Sequence, residues 1–170
     1  RGFLALDAAG AVFFWGQKQE RTPTWYSAFV ENRPESGLRG EGTAIVDVMT
    51  ELWTGRPAAN SAPEVRTITI EGRGAGELVV KAGESFSATV PANDPEGDPL
   101  THVWEVMSEA TRLGTGGSFE PRPGSFPEAV RASGANVTVT VDQPGNYRLF
   151  GYVLDGKGSA GTANLPFQVR

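Results

Sequence analysis

Residues 93–104, with the sequence NDPEGDPLTHVW, decide the fold because an acidic turn there leads directly into a strand pattern. Asp94-Pro95 and Asp98-Pro99 are dipeptides that favour turns. The segment that follows brings Trp104 to the position where a β-sandwich buries a tryptophan between its two sheets. The stretch therefore predicts a turn, then a strand, with Trp104 in the core.

The rest of the chain after residue 57 repeats this strand-and-turn pattern. Apolar residues alternate with polar ones in short runs separated by Gly, Pro and Asp turns. The predicted strands are residues 65–70, 78–80, 86–90, 101–107, 137–141, 147–154 and 165–169. About seven such strands predict a mostly β fold, an antiparallel sandwich of immunoglobulin-like type. Residues 108–133, rich in Gly and Pro, are expected to form a long irregular loop.

The first third of the chain has a different pattern. Residues 43–54 predict a helix, with Thr43 as N-cap and Gly55 as the C-terminal stop. Its apolar stripe consists of Ile45, Val48, Met49, Leu52 and Trp53. Residues 56–63 have the composition of a linker, so we place a domain boundary between 1–57 and 58–170.

Composition excludes several classes of function. The 170 residues carry a formal net charge of −5 without a basic stripe, which argues against a nucleic-acid partner. The chain has no cysteine and a single histidine, His102, so thiol chemistry is excluded and a Ser-His-Asp triad is disfavoured. No run is long enough to span a membrane. The chain begins at Arg1 without a signal-peptide pattern, which indicates a fragment or a processed piece.

Oxygen-bearing side chains predict a Ca²⁺ site. Calcium prefers six to eight carboxylate and carbonyl oxygens in a flexible loop. The turns before the third strand and after the sixth lie at ends of a sandwich and converge if they share one end. The candidate ligands are Asn60, Asp94, Glu96, Asp98 and Asp155. The alternative is a pair of ordinary polar turns.

Phe150 and Tyr152 raise a second question of function. Both faces of their strand are apolar, although the outer face of a sandwich is expected to be polar. One interpretation is that the first third of the chain covers this face, through Trp53 and its helix or through Trp25 and Tyr26. The other is an exposed aromatic strip that stacks on sugar rings.

The first third of the chain holds candidate residues for a further sugar subsite. Its candidate residues are Trp15, Gln17 and Trp25, since aromatic faces and amide groups suit the recognition of hydroxyls. The alternative is that the tryptophans are hydrophobic anchors.

Two stretches resemble known families. The motifs DPEGDPLTHVWEV (94–106), PGNY (144–147) and VLDGKG (153–158) resemble polycystic-kidney-disease-type (PKD) and cadherin-like sandwich domains, which are common in secreted bacterial enzymes. Residues 14–26 and 46–55 look like the C-terminal end of a glycoside-hydrolase TIM barrel related to family 2, with residues 12–15 as its last strand. The paired carboxylates of such enzymes come from strands that this chain lacks, so no catalysis is expected.

These observations favour a non-catalytic accessory module of a secreted or periplasmic bacterial carbohydrate-active enzyme, which positions or stabilises the barrel and is stabilised by calcium. One alternative is a carbohydrate-binding module that uses Phe150, Tyr152 and the long loop. Another is an assembly module that self-associates through the unpaired edges of its N-terminal segment. The expected partners are polysaccharide or the chain's own catalytic barrel, or a second copy in the assembly reading.

Overall fold

The computed structural model describes residues 14–70, 73–74, 78–114 and 118–170. In chain order, the first strands and the helix are β1 (Asn32–Arg33), β2 (Leu38–Arg39), α1 (Ala44–Thr54), β3 (Glu64–Val65), β4 (Thr69–Ile70), β5 (Arg73–Gly74), β6 (Leu78–Val80) and β7 (Ser85–Thr89). There follow β8 (Ala92–Asn93), β9 (Thr101–Ser108), β10 (Val130–Ser133), β11 (Asn136–Thr140), β12 (Gly145–Leu154) and β13 (Ala160–Val169).

The strands form a sandwich, and the predicted fold class is confirmed. One sheet has the order β10-β11-β7-β4-β5 and the other the order β6-β13-β12-β9. All described pairs in them are antiparallel except β13 with β6. An appendage of the β1–β2 hairpin and α1 precedes the sandwich.

The core between the two sheets is built by alternation along the strands. On β12, Tyr147, Leu149 and Val153 point into this core. Trp104 on β9 is 8% exposed and donates a hydrogen bond from Nε1 to the carbonyl of Gly134 at 3.0 Å. The predicted core role of Trp104 is therefore confirmed.

The predicted strand over residues 65–70 is wrong as one continuous element. β3 pairs with β8, whereas β4 pairs with β5 and β7 in the five-stranded sheet. The chain changes sheets between them, and Ile68 lies fully buried at the crossing. The hydrogen-bonding of this segment is interrupted because its first part pairs with β8 and its second part belongs to the five-stranded sheet.

Residues 108–133 contain more regular structure than expected. A 3₁₀ helix spans Pro127–Ala129, and β10 follows it. β10 pairs with β11 in the register Val130↔Val139 and Ser133↔Asn136, joined by Gly134 with φ of 57°. The hairpin was not predicted because its first strand has only four residues and follows a proline-rich segment within the expected loop.

The N-terminal part differs from the prediction in its packing. The helix begins and ends as predicted, and Gly55 is left-handed with φ of 68°. Thr43 occupies the N-cap position as predicted. Its hydroxyl donates to the carbonyl of Ala28 at 3.1 Å and makes no capping hydrogen bond with the helix. Of the predicted apolar stripe Met49 alone is buried, whereas Val48 and Leu52 are 57% and 65% exposed.

The last barrel strand expected over residues 12–15 falls partly outside the described residues. Residues 12 and 13 lie in the part that is not described, and Phe14 and Trp15 are not in a strand. Residues 32–39 form the β1–β2 hairpin around a 3₁₀ turn, which Gly37 closes with φ of 86°. In the described ranges, no helix has the length and apolar character needed to cross a bilayer.

Candidate functional site

The outer face is the side of the four-stranded sheet that is turned away from the inter-sheet core. Its apolar side chains belong to β9 and β12: Val103, Met107, Phe150, Tyr152 and Leu154. Val30 and Leu38 from the appendage pack on them and are 2% and 1% exposed. The sheet therefore has a second apolar core on its far side, formed with the appendage.

This packing corrects the prediction that Phe150 and Tyr152 form a sugar-stacking strip. Their rings are stacked at 6.3 Å, but the two residues are only 2% and 1% exposed. The appendage does cover the face, as the other interpretation held, but Val30 and Leu38 provide the cover rather than the helix or Trp25 and Tyr26. The cover comes from residues flanking and within the β1–β2 hairpin.

An ion-pair network of Glu31, Arg33, Glu105 and Arg122 lies within this interface. Arg122 Nε and Nη2 donate to Glu31 at 2.8 and 3.1 Å, and Nη2 donates to Glu105 Oε2 at 2.7 Å. Arg33 Nη1 donates to Glu105 Oε1 at 2.8 Å, and the Ser125 hydroxyl donates to the same oxygen at 2.6 Å. Three separate parts of the chain are thus joined: the appendage, β9 and the segment before β10.

The charges of this network stabilise one another. Burial alone would raise the pKa of Glu105, but the hydrogen bonds from Arg122, Ser125 and Arg33 outweigh burial and hold the pKa below its usual value of 4.5. Burial would lower the pKa of Arg122, but hydrogen bonds to Glu31 and Glu105 raise it. Glu31 and Glu105 are only 9% and 8% exposed, so both carboxylates depend on these partners.

Tyr152 lies beside the network without joining it. Its hydroxyl is buried and has no hydrogen-bond partner among the described residues. Burial raises the pKa of Tyr152, and the nearby charges of Glu105 and Glu31 raise it further. The ring therefore serves packing, and its hydroxyl is un-ionised at neutral pH.

Sequence reasoning missed this network, although one signal for it exists. Glu105 alternates with Val103 and Met107 on the outer face of β9, so a charged residue interrupts an otherwise apolar face. A buried carboxylate requires a cation as partner. Neither Arg33 nor Arg122 is near it in sequence, so the partners could not be identified without the fold.

The residues proposed for a sugar subsite each make contacts within the protein. Trp15 packs against Phe29 and Trp53, each at a centroid distance of 5.2 Å. Gln17 Nε2 donates to the carbonyl of Pro23 at 3.4 Å. Trp25, 46% exposed, lies under the guanidinium of Arg148 at 5.6 Å. Both tryptophans pack on protein side chains and keep about half of their surface exposed, so the sugar subsite stays a prediction.

The acidic end is the cluster of Asn60, Asp94, Glu96, Asp98, Asp155 and Lys157 at one end of the sandwich. Asp94 Oδ1 accepts hydrogen bonds from the amides of Glu96 and Asp98 at 3.0 and 2.8 Å. Asp155 Oδ1 accepts from the amides of Lys157 and Ser159 at 2.7 and 3.0 Å. Each aspartate therefore organises its own turn, as the ordinary-turn alternative requires.

Side chains also join these turns to each other and to the linker. Asn60 Nδ2 donates to Asp155 Oδ2 at 2.6 Å, and Lys157 Nζ lies 2.8 Å from Asp98 Oδ1. The Ser61 hydroxyl donates to Glu96 Oε1 at 2.9 Å. Burial would raise the pKa of Asp155, but the hydrogen bonds from Asn60 and the turn amides lower it. The predicted ligands thus lie in one cluster, linked by hydrogen bonds and one ion pair.

The donor set has features both for and against a metal. Three oxygens, Asn60 Oδ1, Asp94 Oδ2 and Asp98 Oδ2, are buried and have no hydrogen-bond partner among the described residues. Buried oxygens without donors suit a cation, and carboxylate with amide oxygen is the chemistry that calcium prefers. Among the described residues, however, no group of three His, Asp or Glu side chains is arranged to hold a metal ion. A cation here would need the amide oxygen of Asn60 and room beside Lys157.

Comparisons of sequence find no relative: no family model matches, and no curated protein matches significantly. Among solved structures, a PKD domain of an M14-like peptidase from a Thermoplasmatales archaeon is 18% identical, with a TM-score of 0.38, over 65% of this chain and 98% of that one. A nucleoside hydrolase-related protein from Saccharophagus degradans is 16% identical, with a TM-score of 0.44, over 75% and 31%. The copper resistance protein PcoC of Escherichia coli is 16% identical, with a TM-score of 0.36, over 65% and 100%. These values are too low to inform function, and the fold class rests on the strand order described above.

Proposed function

We propose that the chain is a non-catalytic accessory module of a secreted carbohydrate-active enzyme, and that it holds a neighbouring catalytic domain in a fixed position. The observation that supports this proposal is the appendage, which packs on the outer face through Val30 and Leu38 and through the ion-pair network. Flexible linkers do not position domains, whereas a segment with its own apolar core does. The resemblance of the sandwich motifs to PKD-type modules agrees with such a role.

Further contacts fix the appendage at the acidic end. The amide of Gly42 donates to the carbonyl of Gly158, and the amide of Ala160 donates to the carbonyl of Gly42, at 2.9 and 2.8 Å. The amide of Ala62 in the linker donates to Asp47 Oδ2 on α1 at 2.7 Å. Hydrogen bonds therefore join the appendage to the sandwich at Gly42 and the linker to the helix at Ala62.

The exposed side of α1 offers a surface for the catalytic domain. Val48, Leu52 and Trp53 are 57%, 65% and 53% exposed, and Trp15, 47% exposed, packs on Trp53. Apolar side chains grouped in this way favour a protein partner.

Amide hydrogen exchange tests the fixed position of the appendage. We expect the amides of Gly42 and Ala160 to be protected at least about 10³-fold, similarly to the strands of the sandwich, because each donates to a backbone carbonyl on the other side of the interface between the appendage and the sandwich. The amides of β12 serve as the internal reference. Exchange of Gly42 and Ala160 at the rate of an unstructured peptide, with β12 still protected, would show a flexible tether and exclude the positioning role.

We also propose that the acidic end binds Ca²⁺ through Asn60, Asp94, Asp98 and Asp155, with Glu96 at its rim. The three buried oxygens without donors support this assignment. The ion would tie the linker to the two turns of the sandwich, since Asn60 belongs to the linker.

Thermal unfolding with and without chelator tests the calcium proposal. About 10 mM calcium is expected to raise Tm by about 2–4 °C over the EDTA-treated protein, since a ligand that binds only the folded state stabilises it. Equal concentrations of magnesium control for ionic strength and should give a smaller rise, because Mg²⁺ demands a smaller octahedral site. Identical Tm values in calcium and in EDTA would show that the acidic end is a pair of polar turns.

A further inference from the structure

Lys157 provides a positive charge where the proposed ion would bind. Its ammonium lies 2.8 Å from Asp98 Oδ1, and the two residues belong to different turns, one after β12 and one before β9. The hydrogen bond and charge of Asp98 raise the pKa of Lys157, and the charges of Asp94 and Asp155 raise it further. The ammonium is therefore in the field of all three aspartates.

The ammonium satisfies only part of this cluster. Lysine offers three N–H donors, yet Asp94 Oδ2, Asp98 Oδ2 and Asn60 Oδ1 remain without a donor among the described residues. The Lys157 side chain is 57% exposed, whereas that of Asp98 is 15% exposed. The carboxylate is thus fixed in the cluster, while the lysine reaches it from solvent on a flexible stem and can leave without disturbing the core.

We propose that Lys157 is a tethered cation that competes with calcium for the acidic end. This inference rests on the calcium site proposed above. Asp98 Oδ1 accepts either the ammonium or the metal ion, because both need the same lone pairs and two cations at that distance repel. Calcium binding therefore requires that Lys157 swing into solvent.

The consequence is a module whose turns are held together at low calcium by the lysine and at high calcium by the ion. The lysine lowers the affinity for calcium and reduces the change in stability that calcium produces. The two turns of such a module remain linked over a range of calcium concentrations.

The test compares Lys157→Met with Lys81→Met, the same substitution at an exposed lysine in the turn between β6 and β7. Calcium binding is measured by isothermal titration calorimetry, and Tm is measured in calcium and in EDTA. We expect Lys157→Met to bind calcium roughly two- to fivefold more tightly than the unmodified protein, since removing an exposed ion-pair partner of Asp98 is worth up to about that factor. In EDTA its Tm should fall by about 1–3 °C, while in saturating calcium it should match or exceed the unmodified protein.

The outcomes separate the two proposals. Calcium binding of equal affinity to the unmodified protein and to Lys157→Met would overturn the competition and leave the calcium site intact. No calcium response in either protein would overturn both. Tighter calcium binding by Lys157→Met, with unchanged binding by Lys81→Met, supports both the calcium site and the competition. Lys157→Gln, which keeps a polar side chain without the charge, gives the same comparison if the methionine variant folds poorly.

Discussion

Replacement of Arg122 by methionine is expected to lower the free energy of unfolding by about 3 kcal/mol. Arg122 is the only residue in the described part of the chain whose side chain pairs with both Glu31 and Glu105. Without it, Glu31 loses its ion pair, and Glu105 keeps only Arg33 and Ser125. The cost of an unpaired buried carboxylate exceeds that of a lost surface pair, and the 25% exposure of Arg122 places the loss at the lower end of the range for buried pairs.

Urea denaturation measures this loss, with Arg131→Met as the matched control. Arg131 is an exposed arginine on β10, and its replacement should change the free energy of unfolding by less than about 0.5 kcal/mol. Combining Arg122→Met with Glu31→Gln removes one of the unpaired carboxylates and should restore part of the lost free energy of unfolding. An Arg122→Met protein as stable as the control would mean that the network contributes nothing to the interface.

The same experiment at lower pH tests whether unpaired carboxylates account for the loss. The pKa of Glu105 is lower in the folded protein than its usual value, so its contribution to stability is fully present above about pH 4.5 and is lost as pH falls through the folded pKa. In Arg122→Met the main hydrogen-bond partner is gone and burial raises the pKa of Glu105. The stability difference between the two proteins should therefore shrink as the pH is lowered below 4.5.

The parts of the structure that local pattern could predict are those built from neighbouring residues. The strand pattern after the acidic turn placed Trp104 in the core, and Tyr147 of the PGNY motif lies in the same core and donates its hydroxyl to the carbonyl of Gln143 at 3.0 Å. The apolar outer positions Phe150 and Tyr152 indicated that something covers them. Of the residues that do so, Val30 ends the apolar run 25–30 and Leu38 lies in a polar stretch, and neither segment has a clear period.

Contacts between distant segments account for the rest. Glu105 and Arg122 are 17 residues apart, and Glu31 and Arg122 are 91 residues apart. No spacing rule links such pairs. The acidic end was partly predictable because a sandwich brings its turns together at its ends, but the role of Lys157 depends on the side-chain direction in one turn. The same limit applies to β3 and β4, since their separation into two sheets depends on their partners β8 and β7.

Replacement of Gly161 by alanine is expected to cost about 2–3 kcal/mol, because β3 crosses β13 at this residue. A Cβ built on Gly161 overlaps the Cγ2 of Val65 and the carbonyl oxygen of Pro63. The side chain of Val65 can rotate, but the carbonyl belongs to a backbone held by neighbouring bonds: β3 pairs with β8, and the amide of Arg66 donates to the carbonyl of Pro91 at 2.9 Å. The strain must therefore separate β3 from β13 or distort both.

Gly124→Ala is the matched control for this prediction. A Cβ at Gly124 meets nothing nearer than the Ser108 hydroxyl at 4.0 Å, so this substitution should be neutral within about 0.5 kcal/mol in urea denaturation. The double replacement Gly161→Ala with Val65→Ala distinguishes the two sources of overlap. It removes the side-chain clash and leaves the Pro63 carbonyl, so it should recover only part of the loss after correction for Val65→Ala alone. Full recovery would show that the valine carries the whole cost and that the backbone of the linker can move away from β13, whereas a Gly161→Ala protein as stable as the control would show that β3 does not lie against β13 in solution.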